Sequence, residues 1–178
     1  MPNTDRLFYT GHSMGGHGCF LISTMYPDQA LGSMCVSGWT THHQYVPYFT
    51  RNDISFTDSI LKGLLESAIY EHNPDLHMEN MKGVPLMTRT GAIDDNVSPW
   101  HPRRMARIHA QISGNASQSF VSEIPGVGHW WDTIMNDQDT RKFMTPYLNP
   151  NSTVKPPLPT TFTVTCMNPR GFGGKGGV

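Results

Sequence analysis

Residues 11–18 read Gly11-His12-Ser13-Met14-Gly15-Gly16-His17-Gly18, and they follow a short strand-like run, Arg6-Leu7-Phe8-Tyr9-Thr10. A serine framed as G-x-S-x-G between a strand and a helix is the sequence form of a nucleophile elbow. That turn is so tight that side chains two residues either side of the serine would collide. Gly11 and Gly15 are read as the residues that relieve the collision. The segment from Gly16 to Met25 is rich in small residues and ends at Tyr26-Pro27-Asp28, where proline stops it, so it reads as the helix the turn requires. Ser13 is therefore expected at the top of a sheet with its hydroxyl held out.

A serine hydroxyl is a poor nucleophile at neutral pH and needs a base, and the base needs an acid to fix its tautomer and stabilise its cation. Both residue types lie downstream, each just past a predicted strand. Val84-Pro85-Leu86-Met87-Thr88-Arg89-Thr90 runs into Gly91-Ala92-Ile93-Asp94-Asp95-Asn96-Val97-Ser98-Pro99, and Ser119–Ile124 runs into Pro125-Gly126-Val127-Gly128-His129-Trp130-Trp131. Loops at the C-terminal ends of parallel strands face the ligand crevice. Asp94 follows Ser13 by 81 residues and His129 follows Asp94 by 35, the second interval holding one helix and one strand. That helix is Pro99 to Ile112, with Met105, Ile108 and Ile112 at helical spacing. Ser13, Asp94 and His129 are the candidate catalytic residues, and the Met14 backbone N–H is the candidate oxyanion donor. On the residues alone Asp95 competes with Asp94 for the acid role, and one of the two is expected to cap the helix after Pro99. His12 and His17 flank the elbow and read as packing groups or as neighbours that support the catalytic residues, not as the base. The remaining histidines lack metal-ligand spacing, so no metal is expected.

Taken together, Gly11-His12-Ser13-Met14-Gly15-Gly16, Gly91-x-x-Asp94-Asp95-Asn96-Val97 and Gly128-His129 resemble the catalytic domain of the prolyl oligopeptidase family of serine peptidases, over about residues 5 to 147. The fold this implies is α/β: an α/β-hydrolase-type parallel sheet flanked by helices, here lacking the N-terminal strands. The resemblance also implies that Asp94 rather than Asp95 is the triad acid and that Asn96 contacts the substrate carbonyl. The reaction it implies is peptide-bond hydrolysis through an acyl-Ser13, with His129 as base and then acid and with no cofactor. The elbow taken alone is similar to the esterase D and feruloyl esterase type, which makes a small ester the alternative substrate. An inactive truncated hydrolase is the third reading. Only Met1 to Asp5 precede the first predicted strand, whereas a sheet of this type has further strands upstream, one of whose loops supplies a second oxyanion donor. Losing one such donor costs about two to three orders of magnitude in turnover. A bare apolar strand edge pairs with another chain, so a completing chain or a second copy at that edge is the expected protein partner.

Composition sets the outer limits. A formal net charge of −1 over 178 residues offers no basic face to nucleic acid or an anionic membrane, and no apolar run approaches the ~20 residues of a membrane span. Cys19, Cys35 and Cys166 show no framework spacing; the first two fall in predicted core and read as buried free thiols. Residues 1–148 form the partial catalytic domain. Within it, Ala30–Ser37 is a strand closing at Gly38-Trp39, and Thr40–Asp58 an irregular stretch; Trp39 with His42, Tyr45, Tyr48 and Phe49 either line a cleft or pack on one another. Ser59–Glu71 is a helix with Ile60, Leu61, Leu64 and Ala68 turned to the core, and Asp137–Leu148 a last helix packing back on the sheet. Residues 149–159 are a Pro-rich linker, and 160–178 a strand with alternating Phe162, Val164 and Cys166 followed by a flexible Gly-rich tail.

Overall fold

The run ALGSMCV is buried at each of its seven positions, Ala30–Val36, so it lies inside a sheet covered on both faces, as parallel strands do. The structure, a computed structural model, describes residues 6–46, 58–149 and 159–177. Among these, β1 (Leu7–His12), β2 (Ala30–Val36), β3 (Leu86–Gly91) and β4 (Ser119–Ile124) form one parallel sheet in the order β1-β2-β3-β4. The helices are α1 (Met14–Met25), α2 (His42–Tyr45), α3 (Ser59–Glu71), α4 (Trp100–Ser113) and α5 (Gln138–Leu148).

Each strand pairs with the next, and right-handed crossovers that always step the same way leave their helices on one face. Accordingly Cys19 and Phe20 of α1 and Met105 of α4 share a core with Cys35 and Leu86, closed by Met78 and Met81 of a 3-10 stretch, Pro74–Met81. The other face belongs to α5, whose Phe143 packs with Met34, Val36 and Met87. Adjacent residues of β2 therefore serve opposite layers, Met34 and Val36 one and Cys35 the other, as the two-residue period of a strand dictates. Burying a side chain the size of Phe20 or Phe143 contributes about 1.5–3 kcal/mol.

Several expectations need correction. The strand after the N-terminus runs on through Gly11 to His12 instead of stopping at Thr10. Helix α3 forms where expected, its N-terminal amides of Ile60 and Leu61 accepted by the Asp58 carboxylate. Its apolar stripe is not core, however: Ile60, Leu61, Leu64 and Leu65 are half or more exposed. Periodicity fixes which face of a helix is apolar, not what that face meets. The 3-10 stretch Pro74–Met81 was hidden in a polar segment, although Met78 and Met81 are buried. Residues 160–167 form no strand, and the Gly-rich end is tied down. Thr165 and Asn80 exchange two hydrogen bonds of 2.8 Å. The buried Lys175 ammonium donates to the Asn80 and Lys82 carbonyls at 2.7 and 2.9 Å, oxygens at the end of the 3-10 stretch that lack helical partners. Burial pushes Lys175 down to about 8. Most of the Pro-rich linker, and Tyr48 and Phe49, lie outside the described residues. Among the described residues no helix is long and apolar enough to cross a membrane.

His17, His101 and His109 are buried, and burial pushes each down to about 4. His109 sits between α4 and the start of β3, where its Nε2–H donates to the Val84 carbonyl at 2.9 Å. Between the ordinary value of 6.5 and about 4, the unfolded chain binds protons the folded chain refuses, so stability falls as pH falls through that interval. The urea midpoint is expected to drop steadily from pH 6.5 to 4, with a shallower slope in His109→Gln. A flat midpoint across this range would contradict the buried, neutral state of these rings.

Candidate active site

Ser13 sits between β1 and α1 with φ 59° and ψ −119°, a conformation that costs a non-glycine residue about 1–3 kcal/mol. Neighbouring backbone holds it there. The Ser13 N–H donates to the Val36 carbonyl at 3.0 Å, and the Ser13 carbonyl accepts the His17 N–H at 3.0 Å. A side-chain carbon on Gly11 would come within 2.1 Å of the Gly15 carbonyl oxygen, and one on Gly16 within 2.2 Å of the Val36 carbonyl oxygen. Gly15 itself faces open space. The close contacts that require glycine are therefore at Gly11 and Gly16, not at Gly15 as the motif suggested. Met14 opens α1, so its N–H is among the helix's orphan amides, at the positive end of the helix dipole.

The two loops that follow β3 and β4 meet Ser13 at the same end of the sheet. Ser13 Oγ lies 2.9 Å from His129 Nε2, and His129 Nδ1 lies 2.8 Å from Asp94 Oδ2. A carboxylate only accepts, so Nδ1 carries the proton and Nε2 faces the serine hydroxyl as an acceptor. The other Asp94 oxygen accepts the backbone N–H groups of Asn96 and Val97 at 3.1 and 2.9 Å. The carboxylate is thus buried with its acceptors filled. Asp95 and Asn96 are exposed, so it is Asp94 that meets the histidine. Neither aspartate caps α4: Pro99 stands at the cap position without a side-chain bond, and the Trp100 N–H donates to Ser98 Oγ. The Asp94 side chain is already committed to its own loop.

Three further groups carry the geometry; of these the sequence pointed only to His12, as a packing or supporting neighbour of the elbow. Gly91 lets the acid and histidine loops touch, since a side-chain carbon there would lie 2.2 Å from the Gly128 carbonyl oxygen. The Ile93 N–H also donates to the Val127 carbonyl at 3.1 Å. His12 stands beside the site with its Nε2–H donating to the His129 carbonyl at 2.9 Å and its ring 4.7 Å from the His129 ring; burial holds it below the ordinary imidazole value. Arg89 is fully buried at the end of β3. It donates from Nε to the Ile134 carbonyl at 3.0 Å, from Nη1 to Ser122 Oγ at 2.6 Å and from Nη2 to the Asp137 carboxylate. Its guanidinium also faces the Trp131 ring at 5.4 Å. It thereby anchors the segment that follows His129. Strand-like periodicity gives no cue to such a buried cation.

Of the aromatic residues expected after β2, the described Trp39 and Tyr45 pack on each other, and Trp39 also on His17. His17 stacks on Trp39 at 4.5 Å and Trp39 on Tyr45 at 4.1 Å. Three apolar side chains stand in solvent beside the triad: Met14, Ile93 and Trp130, chain neighbours of Ser13, Asp94 and His129, are 73%, 65% and 70% exposed. Among the described residues no group of three or more His, Cys, Asp or Glu side chains is arranged to hold a metal ion.

Comparison with solved structures agrees with this topology. Pyrococcus horikoshii acylaminoacyl peptidase superposes with a TM-score of 0.61 at 14% identity, over 85% of this chain and 26% of that one. A putative dipeptidyl aminopeptidase IV from Bacteroides ovatus gives 0.59 at 16% identity, over 82% and 19%. An alpha/beta hydrolase enzyme from a sediment metagenome of the Mar Chica lagoon, Morocco, gives 0.51 at 16%, over 80% and 60%. The chain has the α/β-hydrolase fold. It spans a fraction of each of these hydrolase-fold chains. It also spans only 17% of a curated relative, an "Uncharacterized secreted protein" of Arthroderma benhamiae, with which it is 34% identical over 169 residues, 94% of its own length. No protein-family model matches.

The elbow contacts of this hydrolase fold separate two glycines that the motif treats alike. Gly16→Ala forces a carbon against sheet backbone and is expected to lower stability by about 1–3 kcal/mol or more. Gly15→Ala, in open helix, is expected to leave stability unchanged or raise it by up to about 1 kcal/mol. Urea unfolding of the two variants checks the order, and equal losses would contradict it.

Proposed function

We propose that this chain acts as a serine hydrolase by acyl transfer. The observation that carries the reading is the continuous hydrogen-bond relay from Ser13 Oγ through His129 to the buried Asp94 carboxylate. Ser13 Oγ attacks the substrate carbonyl carbon while its proton passes to His129 Nε2, and Asp94 stabilises the imidazolium that forms. The Met14 N–H donates to the oxyanion. His129 then hands its proton to the departing amine or alcohol, and water repeats the sequence on the acyl-Ser13. The exposed apolar side chains of Met14, Ile93 and Trp130 suit a substrate with an apolar side chain near the scissile bond, and the reading assigns the exposed Asn96 amide to the substrate carbonyl.

Within that reaction, peptide-bond hydrolysis of the prolyl oligopeptidase type is the preferred reading. Its supports are the Asp94-Asp95-Asn96-Val97 and Gly128-His129 segments, together with the peptidases among proteins that share the fold. Ester hydrolysis is the second reading, supported by the Gly11–Gly18 octapeptide. Among the described residues β1 is the terminal strand of the sheet, with β2 on one side only. The reading gives its other side to a further strand, whose following loop adds a second oxyanion donor.

A fluorophosphonate probe followed by intact-mass measurement tests the nucleophile: one adduct on the wild-type chain and none on Ser13→Ala is the expected result, and equal labelling of both would sink the assignment. Turnover of peptide anilides against aryl esters then decides between amide and ester substrates, turnover of esters alone removing the peptidase reading.

The acid is tested separately. Asp94→Asn is expected to slow labelling and turnover by about four orders of magnitude, because the wrong tautomer of His129 then faces Ser13. Asp95→Asn, at an exposed position, should stay near the wild-type rate. The reverse order would transfer the acid role to Asp95.

A further inference from the structure

Beneath the elbow, on the face of the sheet away from α5, two sulfur atoms sit together. Cys19 lies in the middle of α1 and Cys35 near the end of β2. Both are free, buried thiols in this structure, as expected; they belong to the same apolar cluster, with 4% and 0% of their surface exposed, and the Cys35 thiol faces the Cys19 sulfur at an Sγ–Sγ distance of 2.6 Å. Unbonded heavy atoms rest about 3.5–4.0 Å apart, and sulfur is larger than carbon. Two separate thiols are therefore crowded by about 1 Å or more, whereas a covalent S–S bond, at about 2.05 Å, is roughly half an ångström away. The surroundings hold the pair in that relation: α1 is pressed onto β2 by the backbone contact at Gly16 and Val36, and Phe20, Met105 and Leu86 close the same cluster around it.

We propose that Cys19 and Cys35 are a disulfide site, cross-linking the helix that carries the elbow to the neighbouring strand. The bond forms by thiol–disulfide exchange with a small-molecule or protein disulfide. The first cysteine, as thiolate, attacks a donor sulfur and releases one donor thiolate. The second, as thiolate, attacks the resulting mixed disulfide and releases the other. Across the two steps the cysteines lose two protons and two electrons, and the donor disulfide is reduced to two thiols. Burial and the facing Cys19 sulfur push the Cys35 thiol well above its ordinary range, so the thiolate that exchange needs is scarce once the core has closed. The cross-link is accordingly made as the chain folds and is shielded from reductant afterwards. Cys166 takes no part: it is exposed, on the tail segment next to the Thr165–Asn80 pair. The proposal is independent of the hydrolase reading, since it concerns the core and not the triad.

The test starts from reduced, urea-unfolded chain diluted into a buffer of reduced and oxidised glutathione, with circular dichroism used to score folded chains only. These are quenched in acid, unfolded, alkylated with N-ethylmaleimide, weighed and peptide-mapped. The expected result is one adduct per folded chain, at Cys166, together with a linked Cys19–Cys35 peptide; Cys19→Ala and Cys35→Ala should each give two adducts and no internal link. Three adducts on folded chains would overturn the proposal. So would glutathione adducts at Cys19 or Cys35, or the same mixture of the three pairings that this buffer produces in denaturant.

Discussion

Helix α1 lies on β2 with backbone against backbone: Gly16 and Gly38 put no side chain between them, and the Val36 carbonyl accepts the Ser13 N–H at 3.0 Å. Everything at the head of the sheet depends on this approach. It holds Ser13 in a conformation a serine would not choose, at the point where α1 begins. It also brings Cys19 down onto Cys35. A helix standing off by the width of one methyl group would lose both, because interiors are close-packed and a local gap is not absorbed elsewhere.

The histidine loop is held differently, by a buried charge. Arg89 lies inside the sheet's end with no exposed surface and distributes its donors over Ile134, Ser122 and Asp137. Burial alone would raise the Asp137 pKa, but the Thr140 N–H and the Arg89 guanidinium outweigh it and hold the carboxyl below its ordinary value. Asp137 also caps α5, so one side chain joins the loop after His129 both to the sheet and to the helix that covers its far face. Such an arrangement is a poor source of net stability, since two charges leave water to make it, but removing one partner strands the other at a cost of about 3–5 kcal/mol. What it fixes is position. The loop cannot slide along the sheet without unpairing a guanidinium.

Asp94 and His129 are oriented by the protein itself, without a ligand. Asp94 is filled by two loop amides and the imidazole, His129 is oriented through Nδ1 by that carboxylate, and its carbonyl is tied to His12. Preorganisation of this kind means that dipoles need not turn during a reaction, which is where most electrostatic catalysis originates. The acid and histidine loops support each other through the Gly91 contact, so the separation of Asp94 and His129 is set by backbone rather than by side-chain packing.

The order strand, tight turn, helix, and the positions of Ser13, Asp94 and His129 just past β1, β3 and β4, were legible in the chain because they rest on local rules. Glycine and proline act on their own neighbours, and periodicity reports the element in which it occurs. The strand Ser119–Ile124 has the bounds its pattern indicated, and α3 and α5 begin at aspartates that cap them. The tertiary structure decided whatever depends on two distant segments meeting. Only the approach of α1 to β2 shows that Gly16 and not Gly15 is the crowded glycine. Only the folded loop shows that the Asp94 carboxylate is spent on Asn96, Val97 and His129 and cannot cap α4. The stripe of α3 remains in solvent, the tail is tied down through Lys175 and Asn80, and Arg89 enters the core. None of these could be read from pattern, because whether an apolar face or a charge is buried depends on the partner brought to it by the rest of the chain, and hydrophobic periodicity carries no address for that partner.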